Sequence, residues 1–339
     1  MSPLNLPVLE IMRRVADWQL PGMGPDKDWI HAAGWVGITA AYESTLEPRY
    51  LEAIRAWAGD FGLTETPRHP RADNQCAAQV FLDVYRLAPI SDNAFMLAAV
   101  KQAFDVLADN PPAGRVEWWW QDALFMAPPG LARLGAITGD GRYVRAMHEM
   151  WWDTHAFLFE PRVGLMYRDD RRREDFWARG NGWVVAGIAR VLPVLPGEEQ
   201  EQGDDRRRGA YVELLRTMCA ALVPLQAADG LWRANLLKPD EIPNPEASGS
   251  GFFTYAMAWG VNNGLLDGAI YLPVIAKAWR GLRGLVRADG HLGWVQPVAA
   301  LPAATTAEST APFGVGAFLL AGSEVARIAD QGFVRAIAS

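Results

Sequence analysis

The chain has 339 residues, is half apolar by composition and carries a formal net charge of −7. That length supports a large buried core, and the absence of any long basic run argues against a nucleic-acid partner. The first twenty residues lack the apolar run of a secretory signal and no stretch reaches the length of a membrane span, so a cytoplasmic protein without membrane contact is expected.

Apolar residues recur at helical spacing along almost the whole chain. The pattern predicts helices over 8–19, 29–43, 47–60, 73–88, 92–108, 118–137, 141–153, 178–193, 207–226, 250–264, 271–287 and 314–328. Cys76, Val80, Val84 and Leu87 mark one buried face, and Val184, Ile188 and Val191 another. Pro128-Pro129 must kink or restart the sixth helix, because proline removes a backbone donor and clashes with the preceding turn. Residues 164–168, 229–233 and 289–294 look alike, each a turn followed by apolar and aromatic residues between two helices. They read as equivalent loops or small hairpins at one end of a repeated helix pair. The polar or Pro-rich stretches 64–72, 196–208 and 297–312 read as surface loops. Twelve helices without the polar end caps of an open solenoid predict an all-α fold of six pairs closed into a ring, one domain over 1–339. Such a ring gathers its loops at the mouth of a central cavity.

Two stretches stand out as chemistry. In Trp118-Trp119-Trp120-Gln121-Asp122 a carboxyl group is set among indoles and followed by Ala123-Leu124-Phe125-Met126. Poor hydration disfavours the carboxylate and raises its pKa, and an acid that holds its proton near neutrality can act as a general acid. The alternative is that Asp122 caps a helix. In Phe176-Trp177-Ala178-Arg179-Gly180-Asn181-Gly182-Trp183 a cation lies between two indoles, next to glycines that let a ligand approach. That suits a carboxylated sugar, with Arg179 on the carboxylate and an indole on the ring. A helix-start turn packed by cation–π contact is the alternative. Asp73 reads either as an N-cap or as a second carboxylate. Of the fifteen tryptophans, most are expected in the core and about a third at a ligand site, since an indole stacks well on sugar. Cys76 and Cys219 read as reduced core thiols, and the five histidines show no zinc spacing.

At these residues the chain resembles the unsaturated rhamnogalacturonyl hydrolases of glycoside hydrolase family 105 and their sister group, family 88. Residues 118–129 (WWWQDALFMAPP), 176–183 (FWARGNGW), 246–265 (EASGSGFFTYAMAWGVNNGL) and 314–324 (GVGAFLLAGSE) carry the likeness. The resemblance implies an (α/α)6 barrel, which agrees with the helix count. It also implies removal of a terminal Δ4,5-unsaturated uronic acid from lyase-generated oligosaccharides, of the galacturonyl-rhamnose type. The reaction implied is acid-catalysed hydration of the C4=C5 bond, with no metal or organic cofactor. By motif position Asp122 resembles the proton donor and Asp73 the second aspartate, which positions water and sugar hydroxyls. Trp177, Arg179 and Trp183 resemble substrate contacts, Trp120 the tryptophan before the donor, and Trp29, less closely, an early stacking tryptophan. Two departures concern the leaving sugar: residues 111–117 lack the family's histidine, and Arg168 stands in place of a second one. A 2-epimerase-like sugar isomerase and a non-catalytic carbohydrate-binding barrel are the competing readings.

Overall fold

The computed structural model describes residues 6–59, 71–87, 94–169, 171, 175–195 and 207–330. Six helices form an inner ring. They are α2 (Trp29–Thr45), α5 (Ala77–Leu87) with the single turn α4 (Ala72–Gln75) before it, α9 (Pro128–Thr138) with the single turn α8 (Ala123–Met126) before it, α11 (Ala178–Val191), α13 (Ala247–Asn262) and α15 (Pro312–Asp330). Each packs on the next, and α15 packs back on α2, which closes the ring. Outside lie α1 (Leu6–Gln19), α3 (Pro48–Gly59), α6 (Ala94–Asp109), α10 (Gly141–Leu158), α12 (Arg207–Leu222) and α14 (Gly268–Gly284), with the single turn α7 (Gly114–Glu117) following α6. The expected (α/α)6 barrel is therefore the observed fold.

Inner and outer helices differ in sequence for a physical reason. Every residue of α11 and residues 247–260 of α13 are buried, so these helices have no polar face to present to water. Small residues let their backbones approach: a methyl group placed on Gly37 of α2 would lie 2.4 Å from the Cα of Gly316 in α15. Two outer helices, α10 and α14, start on acidic caps, where Asp140 accepts from Arg142 N (3.0 Å) and Asp267 from Ala269 N (2.8 Å). Such caps satisfy amides that the first turn leaves without a partner.

One predicted helix is broken. Residues 118–122 form an irregular run of turns instead of the start of a helix over 118–137. The chain then makes α8 and restarts as α9 at Pro128-Pro129 after Ala127 (φ −94°). The three look-alike loops are equivalent: each follows an outer helix and turns on a glycine at positive φ, Gly164 (74°), Gly230 (89°) and Gly290 (100°). The first is a true hairpin, β1 (Phe159–Glu160) against β2 (Leu165–Met166), with Phe159 opposite Met166 and Glu160 opposite Leu165. Cys76 and Cys219 are buried and unpaired with each other. The loops predicted at 64–70 and 196–206 lie outside the described residues. Among the described residues, no helix is long and apolar enough to cross a membrane.

Candidate active site

The first turns of the inner helices converge at one mouth of the barrel. Trp29 opens α2, Asp73 lies in α4, Asp122 immediately precedes α8, Arg179 is the second residue of α11, Glu246 caps α13 and Phe313 is the second residue of α15. This end carries the positive poles of six helices, which favours anions.

Asp122 occupies the N-cap position of α8 but makes no capping hydrogen bond. The capping alternative thus lacks its bond. The carboxyl is half-buried, and its Oδ1 is sealed from solvent without a hydrogen-bond partner. Burial pushes its pKa up to about 6, against the opposing charges of Arg179 and Arg168. Asp73 is not an N-cap: Arg71 holds that position and Asp73 sits inside the first turn, because the helix starts a residue earlier than the pattern suggests. Its pKa is likewise pushed up to about 6, first by burial and then by the charge of Asp122, with Arg71 and Arg168 opposing. The two carboxyls therefore feel each other and share the field of Arg168. A pair of carboxyls with raised pKa values in a cleft marks a candidate site for proton transfer near neutral pH.

Arg168 reaches this site through the hairpin. Asn181 of α11 accepts from Met166 N (2.8 Å) and donates to Met166 O (3.0 Å) and to Trp177 O (3.1 Å). It thereby fixes β2 two residues before Arg168. In turn, Gln121 N donates to Arg168 O (3.1 Å), which ties the acid's own segment to the same loop. The Arg168 guanidinium pairs with buried Asp169 and lies 5.3 Å from the Trp119 ring. A cavity of about 470 Å³ opens here, lined by Arg71, Asp73, Val116, Glu117, Trp119, Trp120 and Arg168. Its size falls in the range of ordinary ligand pockets.

Arg179 is placed differently from the expectation. It is 1% exposed and sandwiched between Trp177 (4.5 Å) and Phe313 (4.8 Å). Its Nη1 donates to Gln296 O (2.6 Å) and its Nη1 and Nη2 to Pro297 O (3.2 Å each). Trp177 is equally enclosed and donates to Gln296 Oε1 (2.9 Å). Trp183 has no exposed surface and packs on Phe125 (4.6 Å) and Phe252 (4.2 Å). Trp29 is half-buried and stacks on Phe313 at 5.4 Å. None of these four lines the cavity, although the charge of Arg179 is felt at Asp122; of the expected contacts, Trp120 and Arg168 line the cavity itself.

Sequence reasoning passed over Arg71, Glu117, Trp119 and Glu246. Glu246 is fully buried and accepts from Ser248 N (2.9 Å), Ser248 Oγ (2.5 Å) and Gly249 N (2.6 Å), with its charge felt by Arg179. A glutamate directly before Ala-Ser-Gly at a helix start was a legible cap signal. Among the described residues, no group of three or more His, Cys, Asp and Glu is placed to hold a metal. A second cavity of about 460 Å³ lies at the opposite ends of α2, α5, α9 and α11. Its charges pair internally, Arg133 with Asp83 (2.9 Å) and Arg86 with Glu43, while Arg190 Nε donates to Gln79 Oε1 (2.6 Å).

The barrel with an acid pair at its mouth is the architecture of a sugar-processing (α/α)6 enzyme. The sequence model of Glycosyl Hydrolase Family 88 matches residues 8–329, and the chain belongs to that family. It is a glycosidase. The chain is 34% identical to an unsaturated 3S-rhamnoglycuronyl hydrolase of Formosa agariphila, over 89% of this chain and 85% of that protein. Among solved structures, a family 88 glycosyl hydrolase from Bacteroides vulgatus is 30% identical, with TM-score 0.84 over 95% of this chain and 99% of its own. A protein described as a polysaccharide lyase is 33% identical, with TM-score 0.85 over 96% and 98%. The isomerase alternative would need paired central histidines; among the described residues, His31 alone lies on an inner helix, α2, while His148 and His155 lie on outer helix α10 and His291 in the loop after α14.

Proposed function

We propose that the protein removes a terminal Δ4,5-unsaturated uronic acid from an oligosaccharide left by a polysaccharide lyase, with a rhamnose-type leaving sugar as in the relative's name. The observation that carries this reading is the carboxyl pair, Asp73 and Asp122, each pushed up to about 6 beside Arg168 and two indoles. Protonated Asp122 gives its proton to C4, and the π electrons of the C4=C5 bond form the new C–H bond. Water held by Asp73 adds at the electron-deficient C5, and its spare proton returns to the carboxyl pair. The hemiketal then opens: the bond from C5 to the ring oxygen breaks, giving a ketone at C5 and a hydroxyl on C1. The hemiacetal so formed at C1 collapses to an aldehyde, and its hydroxyl proton goes, directly or through water, to the departing oxygen of the leaving sugar. A double bond conjugated with the uronate carboxylate carries a planar anion, and Arg168 is the cation facing it from the cavity wall. Arg179 acts through Trp177 and the 296–297 backbone to hold the site's shape.

The test is the near-ultraviolet absorbance of the conjugated alkene. Incubation with unsaturated uronyl-rhamnose fragments is expected to bleach it, with release of rhamnose seen by mass spectrometry. A lyase acting on intact polysaccharide would make the absorbance rise instead. Asp122→Asn is expected to bind the fragment in calorimetry and to lose at least about a hundredfold in kcat, the usual weight of general acid catalysis. Wild-type activity in that variant would remove the mechanism.

A further inference from the structure

The second cavity, at the far end of α2, α5, α9 and α11, holds a positive charge that its own carboxylates leave unmatched. Three arginines line it, Arg86, Arg133 and Arg190, against two acids, Glu43 and Asp83. Arg86 and Glu43 pair at the exposed rim. Deeper in, one carboxylate serves two guanidiniums: Asp83 Oδ2 lies 2.9 Å from Arg133 Nη1 and 3.7 Å from Arg190 Nη2. Arg190 is 7% exposed, and among the described residues its Nη2 has no hydrogen-bond partner. The other groups that meet it bring no negative charge. Its Nε donates to the neutral Gln79 amide, and burial pushes the Tyr255 hydroxyl up to about 12, so that it stays protonated.

An arginine at this end would ordinarily offset the negative pole of a helix. Arg208 already donates to the carbonyl of Leu192, the residue that caps α11, so the charge of Arg190 is not spent there. A buried cation with a shared partner is costly, and one arriving negative charge relieves that cost. The rest of the wall offers Val36, Leu82, Ile137 and Val194, which are apolar.

We propose that this cavity binds a small monocarboxylate with an apolar body, its carboxylate on Arg190 and Arg133 and its body against Val36, Leu82, Ile137 and Val194. Two carboxylate oxygens match the planar donors of a guanidinium. One unmatched positive charge selects a monoanion; sulfate would bring a second negative charge next to Asp83. A uronate would strand its ring hydroxyls against the apolar wall, where they find no partner. The site stands apart from the hydrolase reading, since no residue of the carboxyl-pair cavity takes part.

Titration calorimetry with octanoate tests this, beside octanol, glucuronate and sulfate. Octanoate is expected to bind one per chain. Octanol, glucuronate and sulfate are each expected to bind at least about tenfold more weakly, the order of one lost charge-assisted contact or one unmatched body. Arg190→Met keeps most of the side-chain bulk without the charge and is expected to bring octanoate down to the affinity of octanol. Should that variant fail to fold, Ile137→Glu at the exposed rim sets a like charge before the carboxylate and is expected to weaken octanoate by a similar factor. Octanol or sulfate binding as tightly as octanoate overturns the site. So does an octanoate affinity unmoved in the folded variant, or no octanoate binding to the wild type.

Discussion

Keeping Asp122 buried carries a cost when its carboxyl ionises, and that cost can be measured apart from catalysis. The folded pKa of about 6 lies above the ordinary carboxylate value of 3.8, so the native chain binds the carboxyl proton more tightly than the unfolded one. Stability from this source is complete below about pH 4 and is lost as pH rises through about 6. Asp122→Asn removes the titration, and the variant is expected to gain stability over wild type between pH 4 and pH 7. A shift of about two units sets an upper bound of about 3 kcal/mol, and the half-buried position brings the expectation to roughly 1–2 kcal/mol. Denaturant unfolding at the two pH values reads this directly, and a difference that does not change with pH would contradict it. On the proposed mechanism the same proton enters the rate: kcat/KM is expected to fall as pH rises through about 6, because the acid form of Asp122 disappears. An activity that climbs steadily to pH 8 would mean that another group supplies the proton.

At the scale of the helix, tolerance to added bulk separates the inner ring from the outer one. Gly37→Ala would force its methyl against the Gly316 backbone, 2.4 Å from Cα and 2.7 Å from O. Backbone cannot move aside as a side-chain tip can, so a loss of roughly 2–4 kcal/mol is expected. Gly209, in the first turn of outer helix α12, has nothing within 4 Å of such a methyl. Gly209→Ala is expected to stabilise by about 0.5–1 kcal/mol through reduced freedom of the unfolded chain. Thermal melts of the two variants moving in the same direction would refute the contrast. Helical spacing made these elements readable from sequence, since burial of one face repeats every turn and the twelve long helices follow from it. The break at residues 118–122 was not readable, because the three indoles look alike in a string. Only the turn sends Trp118 into the core and Trp119 to solvent. Asp122 stood out as a candidate acid by its setting among indoles, whereas Asp73 read equally as an N-cap and only the motif singled it out. The enclosure of Arg179 was not, because its partners are backbone carbonyls 117 and 118 residues further along the chain.

For the whole molecule the decisive event is closure of the ring, and closure also builds the site. Phe313 at the start of α15 stacks on Trp29 of α2 at 5.4 Å and lies 4.8 Å from the Arg179 guanidinium of α11. The last inner helix thus supplies one wall of the arginine that backs the acids. Without α15, the inner faces of α2 and α13 would lie open, and both are apolar nearly all round. The barrel is therefore expected to unfold as one cooperative unit, with tryptophan fluorescence and far-ultraviolet dichroism giving coincident transitions. A chain cut before Pro312 should keep helical signal, lose its sharp transition and fail to bind the unsaturated disaccharide, because the ring cannot close around the carboxyl pair. Two separable transitions in the intact protein, or a sharp one in the shortened chain, would show that the helix pairs are stable without closure and that the site's geometry is set locally by each inner helix.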